Sequence, residues 1–90
     1  MQRWARDFTD KLRDRKINIE VVRAVVEHPD IVALHRHGKL RSIGFWSFRQ
    51  RLIAIWSPLA PSRWVTAFRK SKGRHYLLQQ EDAELLWERK

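Results

Sequence analysis

Ninety residues with 19 Lys+Arg against 10 Asp+Glu make one basic domain spanning 1–90, with a formal charge of +9. Such a length allows one modest core, burying a little more than roughly 60% of the unfolded surface, and leaves no room for a large enzyme with a deep cofactor cavity. The chain has no cysteine, which excludes disulfides and thiolate metal sites. No apolar run approaches the ~20 residues of a membrane span, and Met1 to Asp7 lacks the apolar stretch of a signal peptide, so the expectation is a cytoplasmic protein with no membrane partner.

Trp4, Phe8 and Leu12 recur at i, i+4 and i+8 among charged residues, which predicts a helix over 3–14. Asn18 is a good N-cap for a second helix carrying Val21, Val22, Val25 and Val26. His28-Pro29-Asp30 stops that helix, because proline disfavours helical geometry in the residue before it. Four strands are then expected, over 31–36, 39–48, 51–57 and 63–69. His37-Gly38 is a turn between the first two, and the two prolines of 58–61 fix a loop before the last. Residues 70–74 read as a basic turn, Tyr76-Leu77-Leu78 as the extension of a strand or the start of a further element, and 81–89 as a short helix with acidic residues in its first turn.

This order gives an α+β domain: two N-terminal helices packed on a four-stranded antiparallel sheet, with a short C-terminal helix. Period-2 alternation turns Val32/Leu34, Ile43/Phe45, Ile53/Ile55 and Val65/Ala67 towards the N-terminal helices. It turns His35, Ser42, Gly44, Trp46, Ala54, Trp56, Trp64, Thr66 and Phe68 to the other side. A one-residue slip in any strand reverses its faces.

The charge is uneven. Residues 31–80 hold ten of the basic residues and no Asp or Glu, whereas residues 1–30 hold seven basic and six acidic ones. A surface that serves only solubility mixes both signs, so the middle segment reads as a footprint for a polyanion. Lys39, Arg51, Arg63, Lys70, Lys72 and Arg74 are the candidate phosphate contacts. Trp56 is a candidate platform on which a base could stack, unless the tryptophans instead line a second core.

His35 and His37 share one strand face, but two histidines without a carboxylate or cysteine nearby fall short of a metal site. An imidazole is better suited to acid–base work near neutral pH. The stretch 63–76 adds five basic residues, Thr66, Ser71, His75 and Tyr76. RNA cleavage requires a base for the 2′-hydroxyl, positive charge for the phosphorane and an acid for the leaving oxygen. A basic turn that touches phosphate without chemistry accounts for the same residues. No Walker-type glycine run, Rossmann fingerprint or Gly-x-Ser-x-Gly is present, and no cofactor is implied.

Two stretches carry a family resemblance. One runs from Ile17-Asn18-Ile19-Glu20-Val21-Val22 to His28-Pro29-Asp30. The other contains Arg41-Ser42-Ile43-Gly44, Leu52-Ile53-Ala54-Ile55, Val65-Thr66-Ala67-Phe68-Arg69-Lys70 and Tyr76. In this order they resemble the small ribonuclease toxins of the barnase/EndoU/colicin/RelE-like group, in particular the BrnT-like branch, over roughly residues 4–78. The resemblance implies metal-independent endoribonuclease activity on RNA and a small, acidic antitoxin or inhibitor as partner. It places Arg41, Thr66, Arg69, Lys70 and Tyr76 at the family's motif positions. Phe68 interrupts the motif between Ala67 and Arg69, and Gly73-Arg74-His75 stands where BrnT-like members carry a glutamate. The base would then be His75 or His35, with Arg41 and Arg69 on the phosphorane, Tyr76 or Lys72 assisting the leaving group and Thr66 orienting the phosphate. The alternatives are a non-catalytic nucleic-acid-binding module and a protein-interaction domain.

Overall fold

Asn18 caps the second helix as its residue type requires: its Oδ1 accepts from the Glu20 amide at 2.8 Å. The computed structural model describes residues 8–58, 62–80 and 82–89. Trp4 and most of the 58–61 loop lie outside the described residues, as does Glu81. The elements run α1 (Phe8–Asp14), α2 (Ile19–Glu27), β1 (Ile31–His37), β2 (Leu40–Ser47), β3 (Leu52–Ser57), β4 (Arg63–Arg69), α3 (Gly73–Gln79) and β5 (Ala83–Glu88).

α1 ends in a Schellman turn. The Lys16 amide donates to the Arg13 carbonyl and the Ile17 amide to the Leu12 carbonyl, with Lys16 itself at φ 55°. Ile17 then drops into the core. β1 and β2 are joined by a two-residue turn with Gly38 at φ 62°, a left-handed conformation that glycine adopts without strain. The strands form one antiparallel sheet in the order β4-β3-β2-β1-β5.

The helices cover both faces of this sheet. α1 and α2 bury Phe8, Leu12, Val22 and Val25 against Leu52, Ala54, Trp64 and Ala67. α3 lies on the opposite face, where Leu77 packs on Ile31, Ala33, Trp46 and Ile53, with Ile55, Phe68 and Tyr76 around it. Gly44 in β2 makes the room: a Cβ there would come within 2.6 Å of Leu77 Cδ2. Glycine inside a strand commonly marks such a close approach.

The α+β class and the first four strands agree with the sequence reading; three features differ. The segment 81–89, expected as a helix, contains β5, which pairs with β1 and would otherwise leave that strand's outer groups unpaired. Arg36 and Arg74 hold its Glu84 and Glu88. The segment 70–78, expected as a basic turn followed by a strand extension or the start of a further element, holds most of α3, so the helical cover on the second face precedes the last strand.

The third difference is the facing of β3 and part of β4. Ile53 and Ile55 face α3, whereas Ala54, Trp56 and Trp64 pack with the N-terminal helices. A bulge contributes to this: Ile55 pairs with Thr66 and Trp56 with Trp64, so Val65 has no partner and the alternation slips. His35, Gly44, Trp46 and Phe68 lie on the side expected for them.

Candidate functional site

The two ends of the β3–β4 hairpin carry separate basic clefts. At the end where β3 leaves and β4 enters the sheet, a cleft of about 350 Å³ is lined by His35, Leu40, Arg41, Ser42, Ile55, Ser57, Arg63 and Val65. β1 supplies the histidine, and the start of β2 supplies Arg41 and Ser42, which pairs with His35 across the ladder. Ser57 and Arg63 oppose each other at the other wall.

His35 is fixed in place. Its Nε2 lies 3.0 Å from the carbonyl oxygen of Leu77 in α3. A carbonyl can only accept, so Nε2 carries the proton and donates it. This leaves Nδ1 as the ring atom available to take a proton, because the bond at one nitrogen sets the role of the other. Arg41 is anchored by its own turn: Nη1 donates to the carbonyls of Gly38 at 2.8 Å and Leu40 at 2.9 Å. A guanidinium has five N–H donors, so these two bonds leave others for an anion. The cleft thus combines an oriented imidazole, two guanidinium groups and two serine hydroxyls, with no carboxylate among its lining residues.

At the other end of the hairpin, Gln50, Arg51, Arg69, Lys70, Ser71 and Lys72 line a second cleft of about 460 Å³. Its backbone is held firmly. Trp46 Nε1 donates to the Lys70 carbonyl at 2.8 Å, and the Lys70 amide donates to the Arg51 carbonyl at 2.9 Å. Arg51 stands at φ 51°.

The residues proposed from sequence are divided among several places. His35, Arg41 and Arg63 meet in the first cleft; Arg51, Arg69, Lys70 and Lys72 meet in the second. Arg69 also has an architectural role: Nη1 donates to the Arg15 carbonyl at 2.6 Å and Nη2 to the Lys16 carbonyl at 2.7 Å, closing the end of α1. Thr66 Oγ1 accepts from Arg15 at 2.8 Å. Tyr76 packs edge-on against Phe68, with Lys70 Nζ 5.1 Å above its ring, and lines neither cleft.

His75 is exposed on α3 and lines neither cleft, and Lys39 is exposed in the β1–β2 turn. Arg74 pairs with Glu88, the Nε to Oε2 distance being 2.6 Å. This hydrogen bond, reinforced by the opposite charges, raises the Arg74 pKa and holds the Glu88 carboxyl below its ordinary range. Trp56 lies on the α1/α2 side, its ring 6.1 Å from that of Trp64, away from the face that carries His35. Ser57 was missed in the sequence reading: it shares a strand face with Ile55, which the sequence alternation turns away from His35, and only the register of β3 with β2 brings that face to the cleft.

Among the described residues no three His, Asp or Glu side chains converge as a metal site would require. No described helix is long and apolar enough to cross a membrane. No family model, curated protein or solved structure matches the chain.

Proposed function

We propose that the protein binds RNA and cleaves it without a metal ion, in the cleft around His35. The observation that carries this reading is the His35–Leu77 hydrogen bond, which leaves Nδ1 as the proton-accepting atom of a ring that lines one cleft with Arg41 and Arg63. Nδ1 removes the proton from a 2′-hydroxyl, whose oxygen attacks the adjacent phosphorus. The bond from phosphorus to the 5′ oxygen breaks, and that oxygen takes a proton back from the imidazolium. The products are a 2′,3′-cyclic phosphate and a 5′-hydroxyl. Arg41 and Arg63 stabilise the charge on the phosphorane oxygens, while Ser42 and Ser57 donate to the phosphate. This arrangement favours His35 over His75 as the base, and Arg41 with Arg63 over Arg69 as the phosphorane contacts.

The likeness to small ribonuclease toxins points the same way, and on that reading the protein acts in the cytoplasm until an acidic antitoxin binds it. A second reading, RNA binding without cleavage, draws on Thr66 and Arg69 being engaged in holding the α1–α2 link.

Total RNA incubated with purified protein in EDTA tests the proposal. Fragments ending in 2′,3′-cyclic phosphate are expected, with His35→Ala slower by roughly 10²- to 10⁴-fold, the usual contribution of a general base. RNA left intact, or a folded His35→Ala variant as active as wild type, would overturn the catalytic reading. Salt-dependent binding alone would then favour the second.

A further inference from the structure

We propose that the ligand is a single strand of RNA several nucleotides long, lying across the α3 side of the β3–β4 hairpin and held at both ends; this rests on the RNA-cleaving reading of the His35 cleft. The two basic clefts lie at opposite ends of β4, whose seven residues extend about 20 Å at ~3.3 Å per residue. Between them, on the side that carries His35, stand Phe68 and Tyr76, with Lys70 over the tyrosine ring. Cations at each end with aromatic rings between them match the demands of a single strand, whose phosphates need charge and whose bases need surfaces to stack on.

Charge supports this occupant. Residues 31–80, which supply both clefts and most of the path, contain no Asp or Glu to repel a backbone phosphate. The far cleft is also a built feature rather than a loose lysine tail, because the Trp46 indole holds the Lys70 carbonyl and the Lys70 amide holds the Arg51 carbonyl. About 20 Å corresponds to roughly six nucleotides at the ~3.4 Å spacing of a stacked strand, and to fewer if the strand is extended. A duplex would present its bases inward and make no use of the aromatic pair.

Fluorescent RNA oligomers of two, four, six, eight and twelve nucleotides, assayed in EDTA for binding and cleavage by the full chain, test this. Affinity and kcat/KM are expected to rise up to about six nucleotides and then level off. With the octamer, the Arg51→Gln/Lys70→Gln/Lys72→Gln variant should bind roughly ten-fold more weakly, with a salt slope shallower by about 2, since each lost contact to a single strand removes ~0.7. Thermal melting of the variant checks that it is folded.

Cleavage or binding by wild type that does not change with length would overturn the extended site and leave the His35 reading standing. So would a folded triple variant that binds the octamer like wild type, or tighter binding to a duplex of the same length. Absence of RNA binding at every length would remove both.

Discussion

Trp46 packs directly on Gly73: a Cβ on residue 73 would clash with the indole ring of Trp46. The same indole donates through Nε1 to the Lys70 carbonyl. The tryptophan therefore seats the backbone that leads from β4 into α3, and it positions both Leu77, whose carbonyl orients His35, and the lysines of the second cleft.

Gly73→Ala should accordingly cost about 1–3 kcal/mol, the usual penalty of overpacking, read as a lower midpoint in urea unfolding. Gly44→Ala should cost less, because the atom it meets is the tip of the Leu77 side chain rather than a rigid ring. Equal losses at the two positions would contradict the rigid seat.

Arg69→Ala removes two charge-assisted hydrogen bonds to the last carbonyls of the α1 turn. A loss of about 1–2 kcal/mol is expected, towards the lower part of the range for such bonds because the site is exposed. Arg69→Lys should recover less than half of it, since one ammonium cannot reproduce the fork that reaches both carbonyls. Equilibrium denaturation of the two variants checks this. Any drop in RNA cleavage by Arg69→Ala must be read against its stability.

Lys16 holds the left-handed position of the α1 terminus at φ 55° without being glycine. Lys16→Gly should raise stability by about 0.5–1 kcal/mol, the relief of the side-chain penalty partly offset by the greater freedom of the unfolded chain. A lower melting temperature for Lys16→Gly would contradict this account of the turn.

The Arg74–Glu88 pair ties α3 to β5 and makes that tie sensitive to acid. Glu88 has a lower pKa in the folded protein than in the unfolded chain, because Arg74 hydrogen-bonds its charged form. Its contribution is therefore present above the ordinary glutamate range and is lost as pH falls through the depressed folded value. Amide exchange of β5, measured from neutral pH into that acidic window after correction for intrinsic rates, should accelerate in wild type. Glu88→Gln should show the faster opening already at neutral pH and little further change. The pair is partly exposed, so added salt should shrink the difference.

The first four strands and both ends of α2 were legible because their signals are local: the Asn18 cap, the proline after His28 and the period-2 runs. What escaped reading depends on contacts between distant segments. The run Ala83-Glu84-Leu85-Leu86-Trp87-Glu88 fits a helix or a strand equally well, and the free edge of β1 decides it. α3 is placed by Gly44 and Trp46, some thirty residues upstream. The reversed facing of β3 follows from its register with β2, in which Leu52 opposes Ser47. Of the site, the sequence identified His35, Arg41 and Arg63 as candidates, but their meeting depends on the pairing of β1 to β4, and α3 adds the Leu77 carbonyl that orients His35. That Thr66 and Arg69 are engaged by the end of α1 rests on hydrogen bonds to Arg15 and Lys16, some fifty residues away, and has no local signature.

β5 closes the sheet across about fifty residues of intervening chain, whereas each of the other strand pairs joins neighbours in sequence. Contacts so far apart form slowly, because a long loop must be closed before they contribute. The three consecutive hairpins of β1 to β4 can therefore assemble first, with β1 as a temporary edge. Until β5 docks, the hydrogen-bonding groups along the outside of β1 remain open to any other extended segment. The order of assembly thus sets a window in which this chain is most prone to pair with the wrong strand.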